Sequence, residues 1–189
     1  MPAERPLRAD ARRNRERLLE AAVRAFSGNA DVTLDAIAKD AGVGIGTLYR
    51  HFPTREALVE AAYRNELARL CDGAAELREQ GEPEEALRTW IDRFVDYMTT
   101  KREMGEALKR VIASGGDPFE QSRERLVDAM TALLDDGARA GVLRSDVDPL
   151  DVLVGLSGVS LAVAETDQHG QAGRVLDLIM DGLRAGAGR

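Results

Sequence analysis

Apolar residues recur at helical spacing along nearly the whole chain, and no stretch alternates in the manner of a strand. Four stripes come first: Leu18, Leu19, Ala22, Val23 and Phe26; Leu34, Ile37, Ala38 and Ala41; Leu48 with Phe52; and a long one through Leu58, Ala62, Leu67 and Leu70. Gly81 interrupts the fourth, and Pro83 with Glu84 and Glu85 opens a helix striped by Leu87, Ile91, Phe94 and Met98. A further helix carries Leu108, Val111 and Ile112 as far as the turn at Ser114 to Pro118. Asp117 with Glu120 then forms a capping-box-like start, with Pro118 at the first helical position of a helix that buries Leu126, Met130, Leu133 and Leu134. Beyond Gly141, Asp148 and Pro149 open a helix over Leu150 to Ala164, and Val175, Ile179 and Leu183 mark a last one. The pattern predicts an all-α fold of about nine helices.

The second and third stripes lie around a glycine turn. Thr33 is placed to cap the first of these two helices, Asp35 puts negative charge near its N-terminus, and Gly42 falls just past its last periodic residue. Val43 plugs the turn, and a second short helix runs from about Ile45 to Phe52, with Leu48 and Phe52 facing inward. Its other face offers Gly44, Gly46, Thr47, Tyr49, Arg50 and His51, small residues beside groups that bond phosphates or base edges. Pro53 ends it and Thr54 caps the next helix. Helix-turn-helix units place their second helix in the major groove, while an ordinary helical hairpin with a solvated polar face would show the same pattern.

The segment LDAIAKDAGVGIGTLYRHFPTREALVEA, from Leu34 to Ala61, closely resembles the signature of the TetR family of transcriptional regulators. The resemblance covers roughly the first third of the chain. It implies that Thr33 and Tyr49 with His51 hold phosphates, that Gly44, Ile45, Thr47 and Arg50 lie nearest the bases, and that Thr54 and Arg55 fix the DNA backbone at the start of the fourth helix. The chain departs from many relatives at Gly44 and Ile45, where a polar or basic pair is common. Direct readout then leans on Thr47, Arg50 and DNA shape.

Upstream, Arg5, Arg8, Arg12, Arg13, Arg15 and Arg17 face only Glu4, Asp10 and Glu16. A basic arm beside a reading helix reaches an adjacent minor groove or phosphates, and Arg12 and Arg13 are the candidates for that contact, against the alternative of a solvated terminus. Residues 1–65 hold 11 lysines and arginines against 9 acids, and the remainder 15 against 24, so a segment of +2 precedes one of −9 in a chain of net −7. Non-specific affinity for nucleic acid comes mainly from neutralised phosphates, so a DNA footprint here has to be small and at one end.

At 189 residues the chain is long enough for a small domain and a larger one, each with a core. The expected division is a basic arm over 1–11, a DNA-binding domain over 12–70 with its helix-turn-helix at about 33–52, and an effector-binding and dimerisation domain over 71–189. The single cysteine, Cys71, excludes an internal disulfide framework and sits in a helical run with Leu67 and Leu70, where packing is its expected role. No signal peptide is visible, and the apolar run over Leu150 to Ala164 contains Asp151 and is too short to span a bilayer. A cytoplasmic protein with no membrane partner is expected.

The Leu150 to Ala164 helix is apolar nearly all round and studded with Gly155, Ser157, Gly158 and Ser160. Such a helix is covered on most sides, either by a second copy of the chain or as a central core helix. A two-fold dimer suits paired half-sites about one DNA turn apart. The resemblance implies a four-helix interface with the final helix, using Leu153, Leu156, Gly158, Val159, Ile179 and Leu183. Between these ends, Trp90, Phe94, Tyr97, Met98, Met104, Phe119 and Met130 gather the aromatic and sulfur residues. They could line an effector cavity or simply pack.

An enzyme is poorly supported. His51 belongs to the reading helix, His169 lies in a Gln-His-Gly turn, and two distant histidines with one cysteine make neither a metal site nor a nucleophile pair. Asp135 and Asp136 are adjacent and diverge on a helix. A phosphate-cradling glycine motif is missing, and no cofactor is expected. A helical protein-binding scaffold without DNA affinity is the other alternative. The favoured expectation is a dimeric repressor bound to an inverted-repeat operator in double-stranded DNA and released by a small-molecule effector.

Overall fold

The computed structural model describes residues 4–164, 169–184 and 186. Among them the chain forms nine helices and no strand: α1 (Glu4–Gly28), α2 (Leu34–Asp40), α3 (Ile45–His51), α4 (Arg55–Gln80), α5 (Pro83–Glu103), α6 (Gly105–Ala113), α7 (Ser122–Arg139), α8 (Pro149–Ala164) and α9 (His169–Arg184). The expected basic arm is helical from Glu4, so Arg12 and Arg13 stand on α1. The side chains of Arg5, Arg8 and His169 lie outside the described residues.

The start of α7 differs from expectation. Asp117 Oδ1 accepts the amide of Phe119 at 3.1 Å, a two-residue side-chain turn that uses up the group a capping box needs. The helix begins at Ser122, after Gln121 at φ 62°.

Two compact units arise, one from residues 1–66 with 100–119, the other from 67–99 with 120–189. The boundary expected at 70 thus falls near Glu66, and α6 groups with the helix-turn-helix rather than with the larger unit. In the first unit, α1, α2 and α3 pack on one another around Leu18, Leu19, Phe26, Ile37, Leu48 and Phe52, all buried. In the second, α8 packs against both α7 and α9, over a core that includes Trp90, Ile91, Met130, Leu133, Leu156 and Met180. Gly141 (φ +72°) ends α7 by letting the Val142 amide turn back to the Gly137 carbonyl at 3.0 Å, as a left-handed residue past a helix end does. Arg144 then donates its amide to the Leu183 carbonyl at 2.9 Å, tying this turn to α9.

Cys71 is half-buried on α4, and burial pushes its thiol up to about 11. A raised thiol pKa keeps the reactive thiolate scarce below that pH. Iodoacetamide is therefore expected to alkylate the folded protein at pH 8 at well under a tenth of the rate seen in urea, where the thiol returns to its ordinary value of about 8.5. Equal rates in the two states would show an accessible, reactive cysteine.

Candidate DNA-binding face

The face is built from α2, its turn and α3. Thr33 Oγ1 accepts the Ala36 amide at 3.2 Å, capping α2. At the other end Gly42 (φ +65°) closes the helix, with its own amide on the Lys39 carbonyl at 3.1 Å and the Val43 amide on the Ala38 carbonyl at 3.0 Å. This pair of bonds fixes where the chain leaves α2, and so where α3 begins. Leu48 and Phe52 anchor α3 in the core. Thr54 Oγ1 caps α4 through the Ala57 amide at 3.1 Å. Thr33 and Thr54 are both exposed, and accepting a cap bond leaves each hydroxyl hydrogen free to donate to a phosphate.

Opposite the anchor, Tyr49 is 51 % exposed and Arg50, Gly44 and Gly46 are exposed, while Ile45, Thr47 and His51 are half-buried. The Arg50 Nε donates to the Gly46 carbonyl at 3.2 Å, and no carboxylate pairs with Arg50 among the described residues. Three other arginines of this unit are paired, Arg24 with Asp40 at 2.8 Å, Arg64 with Glu60 at 2.8 Å and Arg110 with Asp31 at 2.7 Å, whereas Arg15 and Arg17 on α1, like Arg50, pair with no acid among the described residues. A cation kept unpaired on an exposed helix face is available to an external anion.

A Cβ added at Gly44 or at Gly46 would meet nothing within 4 Å, and the φ of Gly44 is an ordinary −69°. The fold therefore requires glycine at neither position. Their smallness matters only to a surface approaching from outside. Gly46→Ala is expected to stabilise the free protein by up to about 1 kcal/mol, because glycine is the poorer helix former, while weakening DNA binding. Calorimetry beside a band-shift titration reads both signs, and unchanged DNA affinity would show that nothing approaches Gly46 closely.

Two expected contacts are placed differently. Arg55 turns into the protein: its guanidinium donates to the carbonyls of Val32 and Ala30 and lies over the Phe26 ring, 4.8 Å from its centroid. It braces the loop before α2 through these donors. On α1, Arg12 pairs with Glu16 at 3.5 Å and Arg13 with Asp10. Both pairs are solvent-exposed and of the kind worth only about 0–1 kcal/mol, so a phosphate can exchange for either acid.

A second arginine on the same loop has no local sequence signal. Arg110 of α6 reaches the Ala30 carbonyl at 3.2 Å as well as Asp31, across about 80 residues of chain. Arg64 of α4 donates to the Asp117 carbonyl at 2.9 Å, in the turn after α6. The loop that positions α2 is thus held from α4 and from α6.

The expected pocket residues are divided between the two units. Trp90, Phe94, Tyr97 and Met130 are buried in the second unit, Trp90 stacking on Phe94 with centroids 5.6 Å apart and donating its indole N–H to the Leu70 carbonyl at 3.0 Å. Met98 is half-buried. Met104 is fully buried but belongs to the first unit, as does Phe119, which meets Tyr63 edge-on at 5.3 Å.

Of the residues expected at a dimer face, Leu153, Leu156 and Leu183 are buried within the protomer. The apolar side chains that do face outward on α8 and α9 are Val154, Leu161 and Leu178, at 62, 60 and 69 % exposure. Gly158 is exposed, and Val159 and Ile179 are half-buried. A helix apolar on all sides gives no phase from which to choose its outer face. Among the described residues, no helix is long and apolar enough to cross a membrane, and no three metal-ligating side chains come together.

Residues 18–62 match the family described as bacterial regulatory proteins, tetR family, and residues 82–185 match the C-terminal domain of SbtR-like transcriptional regulators. The chain belongs to the TetR family. It is similar to a TetR transcriptional regulator of Streptomyces coelicolor, 54 % identical over 90 % of this chain and 98 % of that one, with a TM-score of 0.86. A TetR regulatory protein of Mycobacterium vanbaalenii is 36 % identical over 95 % of this chain and 99 % of that one, with a TM-score of 0.78. A curated helix-turn-helix regulator of Staphylococcus aureus strain USA300 matches at 43 % identity over 54 residues, 28 % of this chain and only 29 % of the relative's length. This TetR-family chain is a DNA-binding transcriptional regulator.

Proposed function

We propose that the chain acts as a homodimeric repressor that reads an inverted-repeat operator through Thr47, Tyr49 and Arg50 and leaves it when a small apolar effector binds the second unit. The observation that carries the reading is the outward face of α3, where Arg50 lacks a carboxylate and two glycines are unconstrained by packing. Dimerisation through Val154, Leu161 and Leu178 agrees with their exposure, since an apolar stripe of this kind marks an interaction surface. Both α4 and α5 contribute residues to each unit, which gives an effector a covalent route to the helix-turn-helix. Effector binding shifts the protein only so far as its affinity for the two states differs.

Light scattering of the free protein and of its complex with a selected duplex tests the arrangement. The expected masses are two chains for the free protein and two chains plus one duplex for the complex. A monomer in both samples would remove the paired-half-site mechanism.

A further inference from the structure

The N-terminal end of α7 holds a feature that packing does not account for. Ser122, its first residue, is only 7 % exposed, and its Oγ has no hydrogen-bond partner. A buried hydroxyl without a partner lowers stability. Gln121 precedes it in the left-handed region and makes no capping bond, so no cap side chain serves the first-turn amides. Side chains on a helix tilt toward its N-terminus, which sets the Ser122 hydroxyl beside those amides. The helix end itself carries positive partial charge.

The charged residues of this turn are of both signs, with Glu124 as the acid of the first turn. Arg123 and Arg125 flank Glu124. Arg125 meets Asp72 at 3.2 Å, whereas Arg123 is exposed and pairs with no acid among the described residues. A cation in the first turn opposes the helix dipole, and Glu124 in the same turn offsets one of the two arginines. Further along α7, the inward residues Ala129, Met130, Leu133 and Leu134 are apolar.

We propose that the start of α7 is a carboxylate-binding site, in which Ser122 Oγ and the first-turn amides donate to the carboxylate and Arg123 supplies the countercharge. The inference rests on the effector reading and deepens it: the effector is an apolar organic acid. One hydroxyl, one helix end and one free guanidinium suit a monoanion, and the inward residues of α7, packed in the free protein, have to part to admit a hydrocarbon body.

The test is thermal unfolding of the full chain at constant ionic strength with acetate, benzoate, octanoate, benzamide, octanamide and inorganic phosphate, on the wild type, Ser122→Ala and Arg123→Gln. Benzoate and octanoate are expected to raise the melting temperature where the amides do not. Ser122→Ala removes an unpaired buried group, so it should raise the melting temperature of the free protein while weakening carboxylate binding by roughly tenfold, the loss of one charge-assisted hydrogen bond. Arg123→Gln should weaken carboxylate binding while leaving the free protein at least as stable, since a first-turn cation is lost. No shift with any carboxylate overturns the site, as does a Ser122→Ala chain that is less stable yet binds carboxylate normally. Stabilisation by phosphate alone overturns the assignment to an organic acid. Release of DNA is read on the same samples. Octanoate that binds through Ser122 without releasing DNA upholds the site and counts against effector control. Release by an amide to which Ser122→Ala is indifferent upholds effector control and overturns the site.

Discussion

A chain carrying Leu161→Glu and Leu178→Glu is expected to fold as a monomer and to lose about 100- to 10,000-fold of its operator affinity, because two half-sites bound through one linked pair of reading units gain that much over one. Both side chains are solvent-exposed in the protomer, at 60 and 69 %, so the fold itself gives up little when they change. In a two-fold dimer each substitution appears twice, and an unpaired carboxylate buried at an apolar interface is costly. Thermal unfolding, light scattering and a band-shift titration separate the three quantities. A double variant that remains dimeric would place the interface away from these residues. One that becomes monomeric and binds DNA as before would show that the reading unit needs no partner.

On the reading helix, Arg50→Ala and Tyr49→Phe are expected to fail in different ways. Arg50 is the longest donor on the exposed face and is free of acids, so its loss should cost about 1–3 kcal/mol on the preferred sequence and relax one base position. Tyr49 is exposed and is proposed to meet a phosphate, so removing its hydroxyl should weaken all duplexes about equally. Affinities on the preferred duplex and its single-base variants decide between these outcomes. Unchanged base preference in Arg50→Ala would remove it from the readout, and a sequence-selective loss in Tyr49→Phe would make it a base reader.

The helix-turn-helix was legible because its signals are local. Thr33 caps, Gly42 takes the left-handed conformation, and Leu48 with Phe52 sits four apart, each readable within a few residues of its own position. Asp117 shows the limit of such signals: its carboxylate can serve either a cap or a two-residue turn, and the fold uses the second. Arg55 shows another. It follows a capping threonine at a helix start, where a phosphate contact is reasonable, but the carbonyls of Ala30 and Val32 and the Phe26 ring take its guanidinium through a fold contact that spacing cannot reveal.

Longer-range organisation was less accessible still. The pairing of Arg110 with Asp31 joins residues 79 apart and draws α6 toward the reading unit. On α8, alternating glycine, serine and aliphatic residues announced burial without saying which aliphatic residues look inward. Leu153 and Leu156 do, and Val154 and Leu161 do not.

The most direct test of the central claim is selection of bound sequences from a random duplex library, followed by the affinity of the winner against salt. A dimeric reader should enrich an inverted repeat whose half-sites lie about one helical turn apart, with affinity falling steeply as salt rises. No enrichment at low salt, or enrichment of a single half-site by a protein that remains dimeric, would contradict the account.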